Sequence, residues 1–183
     1  NTLVDINGKY ALLRQTRSGS MPVSVSYYLE IGYTYKDDTS RYKEFAHRVS
    51  YFHELIIARK FSDKISAQVG ASFAHFNIVD STLGIQHNNI GVSFAGRYKI
   101  SAQSSIVLEY IHPLTVADKE AGEAKPNLGV GWEIATSSHA FHVFVCSSKE
   151  ILGAYNLVYN QYDFTKPKEG LMIGFNITRN WGF

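Results

Sequence analysis

A single cysteine among 183 residues excludes an intrachain disulfide, and Cys146 has no thiol or histidine neighbour at metal-site or haem-attachment spacing. It reads as a small strand residue. No uninterrupted apolar run approaches the roughly 18 residues that a membrane-spanning helix needs. A formal charge of +2, evenly spread, leaves no electrostatic footprint for a nucleic-acid partner. Glycine-rich phosphate loops, zinc spacings and calcium loops are also missing, so no cofactor or metal is expected. Only four prolines interrupt the chain, which leaves long stretches free to run as strands.

What is present is aromatic and alternating. Twelve tyrosines and eleven phenylalanines favour pleated, half-buried surfaces. Mean hydropathy is slightly negative although 45% of the residues are hydrophobic. A barrel in a membrane has this composition, because half of every spanning strand faces a polar interior. The stretch 171–183 puts Leu171, Ile173, Phe175, Ile177, Trp181 and Phe183 on one face and Met172, Gly174, Asn176, Thr178 and Gly182 on the other. Lipid offers no hydrogen-bond partners, so only helices and closed barrels cross it, and barrel strands alternate apolar-out with polar-in.

Period-two segments bounded by turn residues number about nine, at 2–15, 23–35, 46–61, 65–79, 90–100, 105–114, 128–134, 140–147 and 171–183. No helical repeat competes. Short connections at 17–20, 62–64, 101–104 and 137–139 alternate with long polar ones at 36–45, 80–89, 116–126 and 149–170. Outer-membrane barrels pair short periplasmic turns with longer external loops. The expected fold is therefore all-β, an antiparallel up-and-down transmembrane β-barrel forming a single domain over residues 1–183, in the bacterial outer membrane.

Charge sorts by face. The acids Asp5, Glu30, Glu54, Glu109 and Glu133 and the bases Lys9, Arg48, Lys60, Arg97 and Lys99 fall opposite the apolar faces, as a lumen charge network. Charge on the lipid side costs up to about 2–4 kcal/mol at the midplane, whereas a wet or paired interior tolerates it. The equal numbers argue against a strongly ion-selective pore. Pairing Ile100 with Ile106 sets Arg97 opposite Glu109, and pairing Ile134 with Phe141 sets Glu133 opposite His142. Phe94, Tyr98, Trp132, Ile173 and Phe175 are expected to face lipid or a partner. Arg59 and Arg179 fall on apolar faces near the short-turn ends, where long side chains reach the interface.

His53 and His75 fall on the lipid side of adjacent strands and call for comparison with lipid hydrolysis, but Ser50 and Ser72 point inward and no nucleophile shares their face. No third metal ligand accompanies them. No catalytic residue is assigned, and the chain reads as a non-enzyme.

Several segments together resemble a family of outer-membrane β-barrel proteins from Bacteroidota whose function is unknown: Lys9-Tyr10-Ala11-Leu12-Leu13-Arg14-Gln15, Met21-Pro22-Val23-Ser24-Val25, Leu55-Ile56-Ile57-Ala58-Arg59-Lys60-Phe61, Gly96-Arg97-Tyr98-Lys99 and Gly174-Phe175-Asn176-Ile177-Thr178-Arg179. Ala135-Thr136-Ser137-Ser138-His139 departs from it, standing where the family is richer in glycine. The resemblance implies an outer-membrane location and no established chemistry.

The leading functional expectation is a non-enzymatic outer-membrane barrel, free or as an accessory subunit of an envelope complex. A passive porin-like channel for small solutes is the alternative, and pore or plug is left open. The expected partners are outer-membrane lipid and other envelope proteins. In the long loop 149–170, Tyr155, Tyr159, Tyr162 and Phe164 serve either as a partner contact or as a self-packed cap. The chain starts at Asn1 without an initiating methionine or a leader segment, as a mature or trimmed product does. Bacterial barrels have even strand numbers and keep a processed N-terminus in the periplasm. An odd number of further strands upstream is therefore expected, and the resemblance implies about three, for a barrel of about twelve. The rival is that residues 1–17 form a periplasmic peptide or plug and the other strands close alone.

Overall fold

A computed structural model of the chain describes residues 2–35, 40–166 and 170–179. Nine strands form one sheet in sequence order, each antiparallel to the next. They are β1 (Thr2–Leu13), β2 (Ser24–Tyr35), β3 (Val49–Lys60), β4 (Ile65–Phe76), β5 (Asn88–Lys99), β6 (Ser104–Pro113), β7 (Asn127–Ala135), β8 (His139–Cys146) and β9 (Met172–Arg179). They run from 8 to 12 residues, around the length of about 9–11 that crosses a bilayer at a tilt. Among the described residues no helix is long and apolar enough to cross a membrane. Trp181, Phe183 and Asn1 lie outside the described residues.

The register puts like with like across the sheet. One outward row runs Val25, Ile57, Val69, Phe94, Tyr110, Leu128, and another runs Ile65, Tyr98, Ile106, Trp132, Val143, Phe175. Among the described residues Arg59 and Arg179 are the charged members of the outward strand face, and the Arg59 guanidinium lies 5.3 Å over the Phe61 ring near the short-turn end. The inward face carries Ser26, Glu30, Glu54, Gln68, Ser72, Ser93, Arg97, Glu109, Glu133 and His142.

Turn chemistry sets the register at two hairpins, one of which departs from the expected pairing. At the β5–β6 turn, the Ser101 hydroxyl accepts the Ser104 amide at 3.1 Å while the Ile100 amide reaches the Ser104 carbonyl at 2.8 Å. This tight closure pairs Tyr98 with Ile106, so Arg97 faces Val107 and Glu109 faces Ala95. The expected Arg97 to Glu109 pair is therefore corrected by two residues. At the β7–β8 turn, Thr136 supplies what glycine would: its hydroxyl donates to the His139 carbonyl at 3.0 Å and accepts the His139 amide at 3.1 Å. Glu133 then faces His142, as the pairing of Ile134 with Phe141 requires.

Two further corrections concern elements. Residues 46–48 do not begin a strand, since Phe45–Arg48 forms a 3-10 turn before β3. The long connection after β8 is not irregular throughout. It contains a helix, α1 (Gly153–Tyr159), whose Ala154, Leu157 and Val158 are buried. Isolated helices this short are marginal in water, so packing rather than propensity sustains α1.

Candidate functional site

The helix α1 packs on the inward face of β2 to β6, and this places the core inside the curl of the sheet. Phe52, Ala74, Phe76, Ile85, Ala154, Leu157 and Val158 form one buried cluster. Phe76 meets the rings of Tyr155 and Tyr159 edge-on at 5.1 and 5.2 Å, and those two rings stack at 5.5 Å. Leu157 is 1% exposed, and a Cβ at Gly91 would collide with its Cδ1. The absence of a side chain at Gly91 of β5 thus makes room for Leu157 of α1.

Polar groups lock the same segment. The Tyr155 and Thr34 hydroxyls share a hydrogen bond at 2.6 Å. Asn160 is buried; it donates to the Lys125 carbonyl at 3.0 Å, and its own carbonyl accepts the Lys125 amide at 2.7 Å. Glu30, 4% exposed, accepts the Gly153 amide and the Tyr28 hydroxyl on Oε2, both at 3.2 Å. Tyr155 and Tyr159 are half-buried and pack against Phe76 and each other on the inward side of the sheet. Tyr162 and Phe164 are half-buried, the former 5.6 Å beneath the Lys149 ammonium and the latter edge-on to Tyr110 at 6.3 Å.

Toward the short turns the inward face is open. A trough of about 560 Å³ there is bordered by Gln15, Lys60, Arg97, Glu109, Glu133 and His142. Arg97 donates from Nε and Nη2 to Glu133 Oε1 at 3.0 and 2.5 Å across β6, and His142 Nε2 lies 3.7 Å from the other carboxylate oxygen. A second chamber of about 240 Å³ lies under α1 and is lined by Glu30, Glu54, Glu109, Ser72, Ser93 and Asn156 among others. Ser93 donates to Glu54 Oε1 at 2.5 Å.

The ten expected lumen charges do not form one network. Nine occupy inward positions on strands, while Arg48 lies on the 3-10 turn, donates to the Thr34 carbonyl at 3.3 Å and sits 5.0 Å over the Tyr42 ring. Of them, Arg97 and Glu133 are joined to each other. Lys60 instead pairs with Asp63 at 2.8 Å and Asp5 accepts from Asn7 at 2.7 Å. Lys9 stands opposite Tyr28, and Lys99 opposite Ser105. Asn156, Leu157 and Asn160 carry no signal of a site in the sequence as single residues. The one available signal was the helical spacing of Ala154, Leu157 and Val158.

On the outward face Phe94, Tyr98, Trp132, Ile173 and Phe175 are all exposed. Trp132 Nε1 donates to the Ser104 hydroxyl, fixing the indole near the short-turn end. Tyr98 and Phe61 at that end, and Tyr33, Phe45 and Tyr51 at the other, make two aromatic bands, as membrane interfaces favour. His53 and His75 are diagonal neighbours, each opposite the other's flanking aromatic. His53 Nδ1 shares a 2.6 Å hydrogen bond with the Tyr27 hydroxyl, and no outward residue of β2, β3 or β4 is a serine. Among the described residues no group of three or more His, Cys, Asp or Glu is placed to hold a metal ion directly.

A sheet of antiparallel spanning strands, apolar outside and polar inside with a long loop folded into the curl, defines a membrane β-barrel. The chain belongs to the membrane-bound β-barrel domain family DUF5777, whose model matches residues 1–181. No curated protein and no solved structure matches it.

Proposed function

We propose that this chain is a non-enzymatic barrel of the bacterial outer membrane, in a Bacteroidota envelope as the resemblance implies, and that it serves as a structural or accessory subunit of an envelope complex. The observation that carries this reading is the plug: α1 occupies the lumen at the long-loop end with an apolar seat and polar locks. A solute pore has no use for a lumen filled at that end. The outward face supplies lipid contact, and the His53 environment holds a tyrosine rather than a nucleophile.

Conductance in a planar bilayer tests the plug. Little or no steady current is the expected result, with current appearing when residues 152–160 are deleted. Large stable steps from the intact chain would instead establish a porin-like channel, a reading favoured by the open trough at the short-turn end. Purification in mild detergent tests the subunit role: a defined co-purifying envelope protein is expected, and a lone chain would overturn it.

A further inference from the structure

The chamber beneath α1 has an unbalanced chemistry. Glu30 from β2, Glu54 from β3 and Glu109 from β6 all line a space of about 240 Å³, and no lysine, arginine or histidine lines it with them. None of the three makes an ion pair among the described residues. Glu54 is met by the Ser93 hydroxyl alone. Glu109 has no side-chain hydrogen bond among the described residues. Glu30 is 96% withdrawn from solvent, being 4% exposed, and its Oε1 has no partner although Oε2 is doubly bonded. The Ser72 hydroxyl and the Asn156 side-chain carbonyl, which line the same chamber, are buried without partners too. Every unmet atom there is an oxygen able to accept. Buried polar groups in native proteins are ordinarily satisfied, and a buried carboxylate requires a donor or a counter-charge.

We propose that this chamber binds a divalent cation that keeps its water shell, of the Mg²⁺ type. Among the described residues no three carboxylates converge to hold a metal ion directly, which favours an ion held through its waters. The volume suits a hydrated ion instead: at ~30 Å³ per water, it holds about eight waters, enough for an octahedral shell. Magnesium dehydrates reluctantly and is held by few carboxylates through its waters. Those waters donate to Glu30 Oε1, Glu54, Glu109, Ser72 and Asn156, while the ion offsets like charges that would otherwise repel. Glu109 also borders the open trough, which gives the ion a route in from the short-turn end. Arg97 borders that route but is already engaged by Glu133. The site does not depend on any partner protein, so its test is separable from the subunit reading.

Titration of the purified chain in detergent with Mg²⁺, followed calorimetrically, should give one ion per chain. Affinity should fall by about tenfold or more in E54Q and in E109Q; Glu109→Gln is the safer variant because it removes charge without breaking a bond. Glu120→Gln, in a distant loop, should leave binding unchanged. Hexaamminecobalt(III), whose ligand shell cannot exchange, should compete with Mg²⁺. No Mg²⁺ binding, binding unaffected in the E54Q/E109Q double variant, or binding with which hexaamminecobalt(III) does not compete would each overturn the proposal. Retention of putrescine in place of Mg²⁺ would also overturn it, making the ligand an organic ammonium. A thermal-unfolding midpoint for E109Q equal to that of the parent separates loss of the site from loss of the fold.

Discussion

Glu30 and Gly153 are 123 positions apart in the chain, yet the Glu30 carboxylate accepts the Gly153 backbone N–H at 3.2 Å. The first turn of a helix leaves amide groups without partners inside it, and a carboxylate is well suited to them. Leu152, which precedes the helix, has no side chain able to cap it. A strand residue performs that task. The contact makes the position of the plug depend on the barrel wall.

Replacing Glu30 with Leu should therefore loosen the plug without unfolding the sheet. Limited proteolysis should cut in residues 147–153 markedly faster than in the parent, while heat-modifiable migration on gels stays unchanged. Equal cutting rates would show that the apolar seat alone holds α1.

Leu157→Ala should destabilise the docked loop by about 2–5 kcal/mol, the range for truncating a buried leucine against a site that cannot collapse. Hydrogen exchange at α1 amides should rise accordingly, and exchange in the centres of β3 and β4 should not. A second variant, Gly91→Ala, should produce the same local signature, because its added methyl meets Leu157 rather than open space.

The outward face predicts a depth dependence. Phe94 lies mid-strand and Tyr98 near the short-turn end of β5. Phe94→Lys should cost about 2–4 kcal/mol in liposome unfolding by guanidinium, and Tyr98→Lys about 0–1 kcal/mol. Equal costs at both positions would contradict a membrane midplane near Phe94.

The corrected register is testable by coupling. A double-mutant cycle between Arg97 and Glu133 should show about 1 kcal/mol, since Arg97 is partly exposed and its charge-assisted bonds are screened. The cycle between Arg97 and Glu109 should show less than about 0.5 kcal/mol.

Loop order should depend on acid. Thr82 donates its hydroxyl and its amide to Asp80 Oδ1 at 2.5 and 2.9 Å. These bonds, and then Arg41 at 3.8 Å, hold the Asp80 carboxyl below its usual 3.8. A depressed folded-state value means that the stabilisation is complete above the unfolded value and is lost as pH falls through the folded one. Amide exchange at Thr82 and Leu83 should therefore be constant from neutral pH down to about pH 5 after correction for intrinsic rates, and protection should be lost only below the usual aspartate range. Asp80→Asn should shift that profile to one without an acid limb.

Most of the strand pattern was legible in the sequence because pleating is local. A side chain at 94 or 132 points away from one at 95 or 133 whatever the rest of the chain does, and lipid accepts only the apolar set. The outward positions of Phe94, Tyr98 and Trp132 and the inward positions of Glu30, Glu54 and Glu133 follow from that alternation. The pairing of Glu133 with His142 was legible as well, since a short turn leaves little freedom for register.

Two things only the tertiary structure decided. The partner of Arg97 depended on how the Ser101 hydroxyl closes a turn, and a shift of two residues conserves every face while exchanging every neighbour; alternation carries no information about it. The plug was hidden for a different reason. A helix of seven residues has too few turns for its period to stand out, and its apolar face has meaning only against the space at Gly91 and beside Phe52 and Phe76. Local sequence set which side of each strand meets lipid, whereas what fills the lumen came from contacts between segments far apart in the chain.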